Sequence, residues 1–113
     1  MTLQTKLTEL YTPFLELNCD VSHYKRLTSN KFVVWAETGE ADSAHADNHK
    51  TEQQLTGFVD FFTLEEFDPI ADDIQGILNE QPVGWTLEDV LYEEETNLIH
   101  YTWRWWTSGK TEV

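Results

Sequence analysis

The chain has 113 residues, 40% of them hydrophobic, with 6 Phe, 5 Trp and 4 Tyr, and a formal net charge of −14 from 7 Lys+Arg against 21 Asp+Glu. That length suits a single domain, here 1–113, with one core and a radius of gyration of roughly 13 Å, and the aromatic content argues against disorder despite the acidity. A chain this acidic repels the phosphate backbone and anionic lipid, its sequence has no run near the ~18 apolar residues of a membrane span, and a single cysteine, Cys19, excludes an internal disulfide and a thiolate metal cage.

No specific nucleic-acid binding and no membrane association are therefore expected. The start Met1-Thr2-Leu3-Gln4-Thr5-Lys6 lacks the basic, apolar and small-residue pattern of a secretory signal, which predicts a cytosolic chain. The charge is uneven: residues 1–36 carry four cations against three anions, and residues 37–113 carry three against eighteen. No linker-like stretch divides the two parts, so the expectation is one domain with a strongly acidic side.

Leu3, Leu7, Leu10, Tyr11, Phe14 and Leu17 share one face of an amphipathic helix that Thr2 can cap. Pro13 removes an i to i−4 hydrogen bond, so this helix is expected to be kinked or in two parts. Lys31-Phe32-Val33-Val34-Trp35-Ala36-Glu37 is β-branched and aromatic and reads as a strand. Residues 39–50 are small and polar and read as a loop or an exposed edge hairpin.

A second strand is expected over residues 54–63. Its apolar residues fall on both faces, which calls for cover on both sides, by helices on one and by something else, such as another subunit, on the other. Two helix-start signals follow: the capping-box pattern Thr63-Leu64-Glu65-Glu66, and Asp68-Pro69. Ile70, Ile74, Ile77 and Leu78 form the buried stripe of that helix, which stops before Gln81. The remainder reads as a hairpin, with strands over 85–92 and 98–107 and an acidic turn at Glu93-Glu94-Glu95-Thr96-Asn97. The expected fold is α+β, in the order α-β-β-α-β-β, with a mostly antiparallel sheet and two helices packed on one face.

His45, Asp47 and His49 are the only residues with metal-ligand spacing, and an exposed polar loop is the simpler account, so no metal and no cofactor are expected. The paired carboxylates, among them Asp72/Asp73 and Glu93 to Glu95, fall on a helix's polar face and in a turn and read as acidic surface, because acid-base catalysis needs carboxyls in contrasting environments. There is no phosphate loop, nucleophile elbow or Cys/His catalytic pair, and Cys19 reads as a small packing residue. The terminal run Tyr101-Thr102-Trp103-Arg104-Trp105-Trp106 places Trp103 and Trp105 on one face as core and Trp106 on the other, where it extends an apolar patch of the kind that marks interfaces.

Nearly the whole chain resembles the tail-terminator, or tail-to-head joining, proteins of bacteriophages and prophages with long non-contractile tails, often labelled minor capsid proteins. The resemblance rests on the order and spacing of Phe32-Val33-Val34-Trp35, Ala46-Asp47-Asn48, Thr56-Gly57-Phe58-Val59-Asp60-Phe61-Phe62-Thr63, Glu66-Phe67-Asp68-Pro69, Gly84-Trp85, Tyr92-Glu93-Glu94-Glu95-Thr96 and Ile99-His100-Tyr101-Thr102-Trp103. It implies a non-enzymatic virion protein, present in the host cytoplasm during assembly. Such proteins form a homohexameric ring that caps the tail tube and meets the head-completion or connector protein.

A closed ring needs a heterologous interface, for which Phe58, Phe62, Trp103 and Trp106 are candidates. An acidic surface carrying Asp72, Asp73, Glu93, Glu94 and Glu95 would let DNA pass through the lumen without sticking. Two other readings of the same sequence are an acidic DNA mimic that inhibits a host nuclease and a head-completion protein of the same particle.

Overall fold

A computed structural model describes residues 2–40, 45–46, 49–50 and 53–107, with 45–46 and 49–50 described by their backbone alone. Helix α1 spans Leu3–Tyr11, and its first turn is capped by Thr2, whose hydroxyl accepts the Thr5 N–H at 3.1 Å. Pro13 has no N–H for the helical ladder, and the chain tightens into a 3-10 helix over Thr12–Glu16 that seals Phe14 into the core. The two-part helix expected from the proline is what forms.

The first strand, β1 (Asp20–His23), was not foreseen, because four residues with one apolar side chain carry no period-2 signal. It pairs in parallel with β2 (Lys31–Glu40), setting Val21 opposite Val33 and His23 opposite Trp35. Parallel neighbours ordinarily need a crossover of a dozen or more residues. Residues 24–30 suffice here because a four-residue strand leaves only about 13 Å to retrace. Tyr24, at φ 74°, turns the chain out of β1.

Beyond β2, the backbones of β3 (His45–Ala46) and β4 (His49–Lys50) pair antiparallel, so part of the polar segment is a small hairpin. Asp47 and the side chains of His45 and His49, weighed above as metal ligands, lie outside the described residues. Strand β5 spans Leu55–Thr63, helix α2 Pro69–Glu80, and strands β6 and β7 Val83–Glu93 and Leu98–Thr107. The Thr63-Leu64-Glu65-Glu66 signal does not start α2. Thr63 instead accepts the Glu65 N–H at 3.1 Å in a turn and donates its hydroxyl to Asp68 at 2.7 Å. Asp68 is the cap, accepting the Ile70 N–H at 2.9 Å, with Pro69 behind it.

The main sheet runs β1-β2-β5-β7-β6, antiparallel except for β1 with β2. The architecture is α+β with the expected helices and strands, plus the parallel edge strand and the short hairpin. Both helices contribute to one core on one face of the sheet. Leu10, Phe14, Ile70, Ile74 and Leu78 meet Val33, Trp35, Val59, Phe61, Trp103 and Trp105 there. Trp35 and Trp105 stack with ring centres 5.2 Å apart.

On the opposite face a smaller cluster joins Phe32, Val34, Phe62 and Leu98. Part of its cover comes from the chain itself. Leu27 packs against it, and the Arg26 guanidinium lies 4.4 Å from the centre of the Phe62 ring.

The radius of gyration is 15.4 Å and the longest dimension 53 Å, more extended than a compact chain of this length. Strands of ten or eleven residues run about 33–36 Å, whereas the twelve-residue α2 runs about 18 Å. The sheet therefore outreaches its helices.

Candidate functional site

The four aromatics expected at an interface do not form one patch. Trp103 lies on the helix-covered face at 1% exposure, its indole N–H donating to Gln75 of α2 at 3.1 Å, so it is core within its own chain. Phe62 is buried on the other face between Phe32 and His100, with ring centres 4.5 and 4.0 Å away. Neither offers a surface to a partner. Phe58 and Trp106 are half-buried on that same face, beyond the cover that Arg26 and Leu27 provide. Arg104, the register partner of Phe58, is exposed with its guanidinium 5.9 Å from the Trp106 ring centre.

The acidic residues divide in the same way. Asp72 and Asp73 on α2 and Glu94 and Glu95 in the turn are exposed. Glu93 is not free, because Arg26 donates to its two carboxylate oxygens at 2.6 and 3.1 Å and Thr96 donates at 3.0 Å. The Arg26 hydrogen bonds, against a partly opposing burial, hold the Glu93 carboxyl down at about 2. This pair ties the segment after β1 to the far hairpin turn, so one member of the expected acidic surface is a structural clamp.

Two polar clusters carry titratable groups. In the first, His100 donates from Nε2 to Asp60 at 2.7 Å, Thr102 donates to the same carboxylate oxygen at 2.9 Å, and Glu93 lies 3.6 Å from His100 Nδ1. Thr102 Oγ1 also lies 3.2 Å from His100 Nε2, and His100 stacks against Phe62, so these side chains of β5 and β7 form a cross-strand polar ladder. In the second, His23 donates from Nε2 to Glu37 at 2.7 Å and Tyr24 also donates to Glu37, while the His23 and Tyr24 rings stack at 3.8 Å.

Among the described residues no group of three or more His, Cys, Asp or Glu side chains could hold a metal ion, and no helix is long and apolar enough to cross a membrane. Burial and the nearby Asp20 and Asp68 carboxylates push the Cys19 thiol up to about 11, which suits a packing residue and not a nucleophile.

The surface that sequence reasoning missed lies on β6. It is an edge strand, and Leu87, Val90, Leu91 and Tyr92 on it are exposed, the last three at 50%, 55% and 60%. Leu87, Val90 and Tyr92 pair with Trp103, Tyr101 and Ile99, which places them on the helix-bearing face of the sheet. Nearby, Phe67 is 92% exposed at φ 56°, a left-handed conformation that is costly for an aromatic residue.

Phe67 and Leu87 line a groove of about 270 Å³ with Asp72, Gln75, Tyr101 and Trp103. The pairing register of β6 with β7 shifts between Leu87 and Asp89, so the strand's alternation breaks at Glu88 and its apolar residues do not read as one face in sequence. No protein-family model and no curated protein matches the chain.

Proposed function

We propose that this chain is a non-enzymatic assembly protein of a bacteriophage or prophage particle, a tail terminator that caps the tail tube and forms the tail side of the head-tail joint. The observation that carries the reading is the apolar surface left without cover on so acidic a chain. Leu87, Val90, Leu91 and Tyr92 are exposed along one sheet edge, Phe67 is exposed in the turn before α2, and Phe58 and Trp106 are half-exposed on the face away from the helices. Monomeric proteins rarely keep such surface open, and patches of this kind usually meet partners. The resemblance of its sequence segments to the terminator family suggests the partners we propose: further copies of the chain in a hexameric ring, the tube protein, and the head-completion or connector protein.

Phe58, Arg104 and Trp106 supply the contact between copies, displaced from the four aromatics first considered by the burial of Phe62 and Trp103. The exposed Asp72, Asp73, Glu94 and Glu95 make a repulsive surface past which DNA moves without sticking. The nuclease-decoy reading is weakened by Glu93, whose charge is spent on Arg26.

The test is to add the chain to preassembled tail tubes and image them by electron microscopy. Ring-shaped density at one end of the tubes is the expected result. Bare tube ends, with density found at the head vertex, would instead favour a head-completion protein. Bare ends with stoichiometric inhibition of a nuclease would favour the decoy.

A further inference from the structure

The sheet has two edges of different character. Strand β1 is four residues long, whereas β6 is eleven, and no described strand pairs with the outer side of β6. Natural proteins guard such edges with bulges and charge. Strand β6 has both at one place, with the register shift at Glu88 and the exposed carboxylates of Glu88 and Asp89. Guarding alone does not account for Leu87, Val90, Leu91 and Tyr92, which flank the carboxylates and remain exposed.

Two copies of β6 paired antiparallel about this point would set the Glu88-Asp89 carboxylates against their own images, and like charges directly opposite are destabilising. The edge thus rejects its own image and accepts a strand of opposite charge. We infer that β6 is a strand-addition site for an extended segment of another protein that alternates Lys or Arg with apolar residues. Its main chain would continue the sheet, since an added strand gains its affinity from backbone hydrogen bonds and its selectivity from alternate side chains.

Its apolar side chains would lie on the face of Leu87, Val90 and Tyr92, next to the groove that Phe67 and Leu87 line. Its cations would meet Asp89 on the other face and Glu88 at the bulge, with Glu94 and Glu95 in the turn beyond. This site goes beyond the terminator reading and stands whether or not the chain forms a ring.

The experiment is an NMR titration of the full chain with two short synthetic peptides, one alternating Lys and Val and the other Glu and Val. Expected is saturable perturbation of the Thr86 to Tyr92 amides by the Lys-Val peptide alone, weakened at least about threefold between about 50 mM and about 500 mM salt. The double variant Glu88→Lys/Asp89→Lys should exchange the preference for that of the Glu-Val peptide. Val90→Lys should weaken the Lys-Val peptide, and the spectrum of each free variant reports that it is folded.

Perturbation spread equally over Asp72, Asp73, Glu94 and Glu95 without saturation would overturn the site as mere charge attraction. So would retention of the Lys-Val peptide by the double variant. Concentration-dependent broadening of residues 86–92 in the free chain would overturn it in favour of a second copy as the occupant.

Discussion

The Trp105 indole occupies the space that a side chain on Gly57 would need. A Cβ at Gly57 would sit 2.3 Å from Trp105 Cζ2 and 2.2 Å from the Ala36 carbonyl oxygen, and the two residues are register partners on β5 and β7. Trp106 and Gly84 repeat the arrangement on the other face between β7 and β6, where a Cβ would meet the Trp106 ring at 2.4 Å. The Trp-rich last strand is accommodated because each neighbouring strand presents a glycine at the matching position.

Gly57→Ala should therefore destabilise the fold by about 1–3 kcal/mol or more, since neither a backbone carbonyl nor a stacked core tryptophan can move cheaply. Gly76 lies inside α2 with nothing within 4 Å of its Cβ direction. Gly76→Ala should stabilise the fold by about 0.5–1 kcal/mol through helix propensity. Urea midpoints of the two variants, moving in opposite directions from the parent, check both.

Asp68 joins three elements. It caps α2, accepts the Thr63 hydroxyl at 2.7 Å from the end of β5, and meets Lys31 Nζ at 2.8 Å from the start of β2, all at 3% exposure. Asp68→Ala removes the cap, leaves the buried Thr63 hydroxyl without its acceptor and leaves Lys31 only Glu65 at 4.0 Å, for an expected loss of about 2–4 kcal/mol. Asp68→Asn keeps an acceptor for Ile70 and should cost less. Thermal melts of the two, ranked in that order, carry the prediction.

Stability should fall on acidification in a window set by two carboxyls. Glu93 titrates at about 2 in the folded chain against an ordinary 4.5. Burial alone would raise Asp68, but the hydrogen bonds from Lys31, Thr63 and the Ile70 N–H outweigh it and hold it below the ordinary value. With depressed folded-state values, the unfolded chain binds more protons below about 4.5, so the stabilisation present at neutral pH is lost between there and about 2. Glu93→Gln should flatten that part of the pH profile of unfolding, measured by denaturant titration at several pH values.

Phe67 combines 92% exposure with φ 56°. Asparagine tolerates that backbone better, so Phe67→Asn should raise stability by about 0.5–1 kcal/mol. A residue that costs stability where it touches little of its own chain is expected to act on a partner. The same variant should bind tube ends less well, which a co-sedimentation assay with tubes would report.

What the sequence made legible was set by periodicity. The apolar stripes of α1 and α2, the Asp68-Pro69 start, the turn at Glu93 to Asn97 and the opposite facing of Trp105 and Trp106 all follow from local spacing. Three features were hidden for physical reasons. Strand β1 is too short to show a period, and its partner choice depends on a crossover path.

The Arg26–Glu93 clamp joins residues 67 positions apart, which no local pattern encodes, and it converted a supposed free carboxylate into a buttress. The bulge at Glu88 breaks the alternation of β6, so its exposed edge is unreadable in sequence, whereas the core facing of Trp103 follows from the alternation of β7. The candidate site was thus legible in composition, as aromatic excess within an acidic chain, and not in position.

The most direct test of the assembly role is the length distribution of tail tubes grown from purified tube protein with increasing amounts of this chain, read by electron microscopy. Growth should stop earlier as the chain is added, with capped tubes that no longer extend when fresh tube protein is supplied. Tubes of unchanged length that continue to extend at saturating amounts of the chain would contradict a terminator.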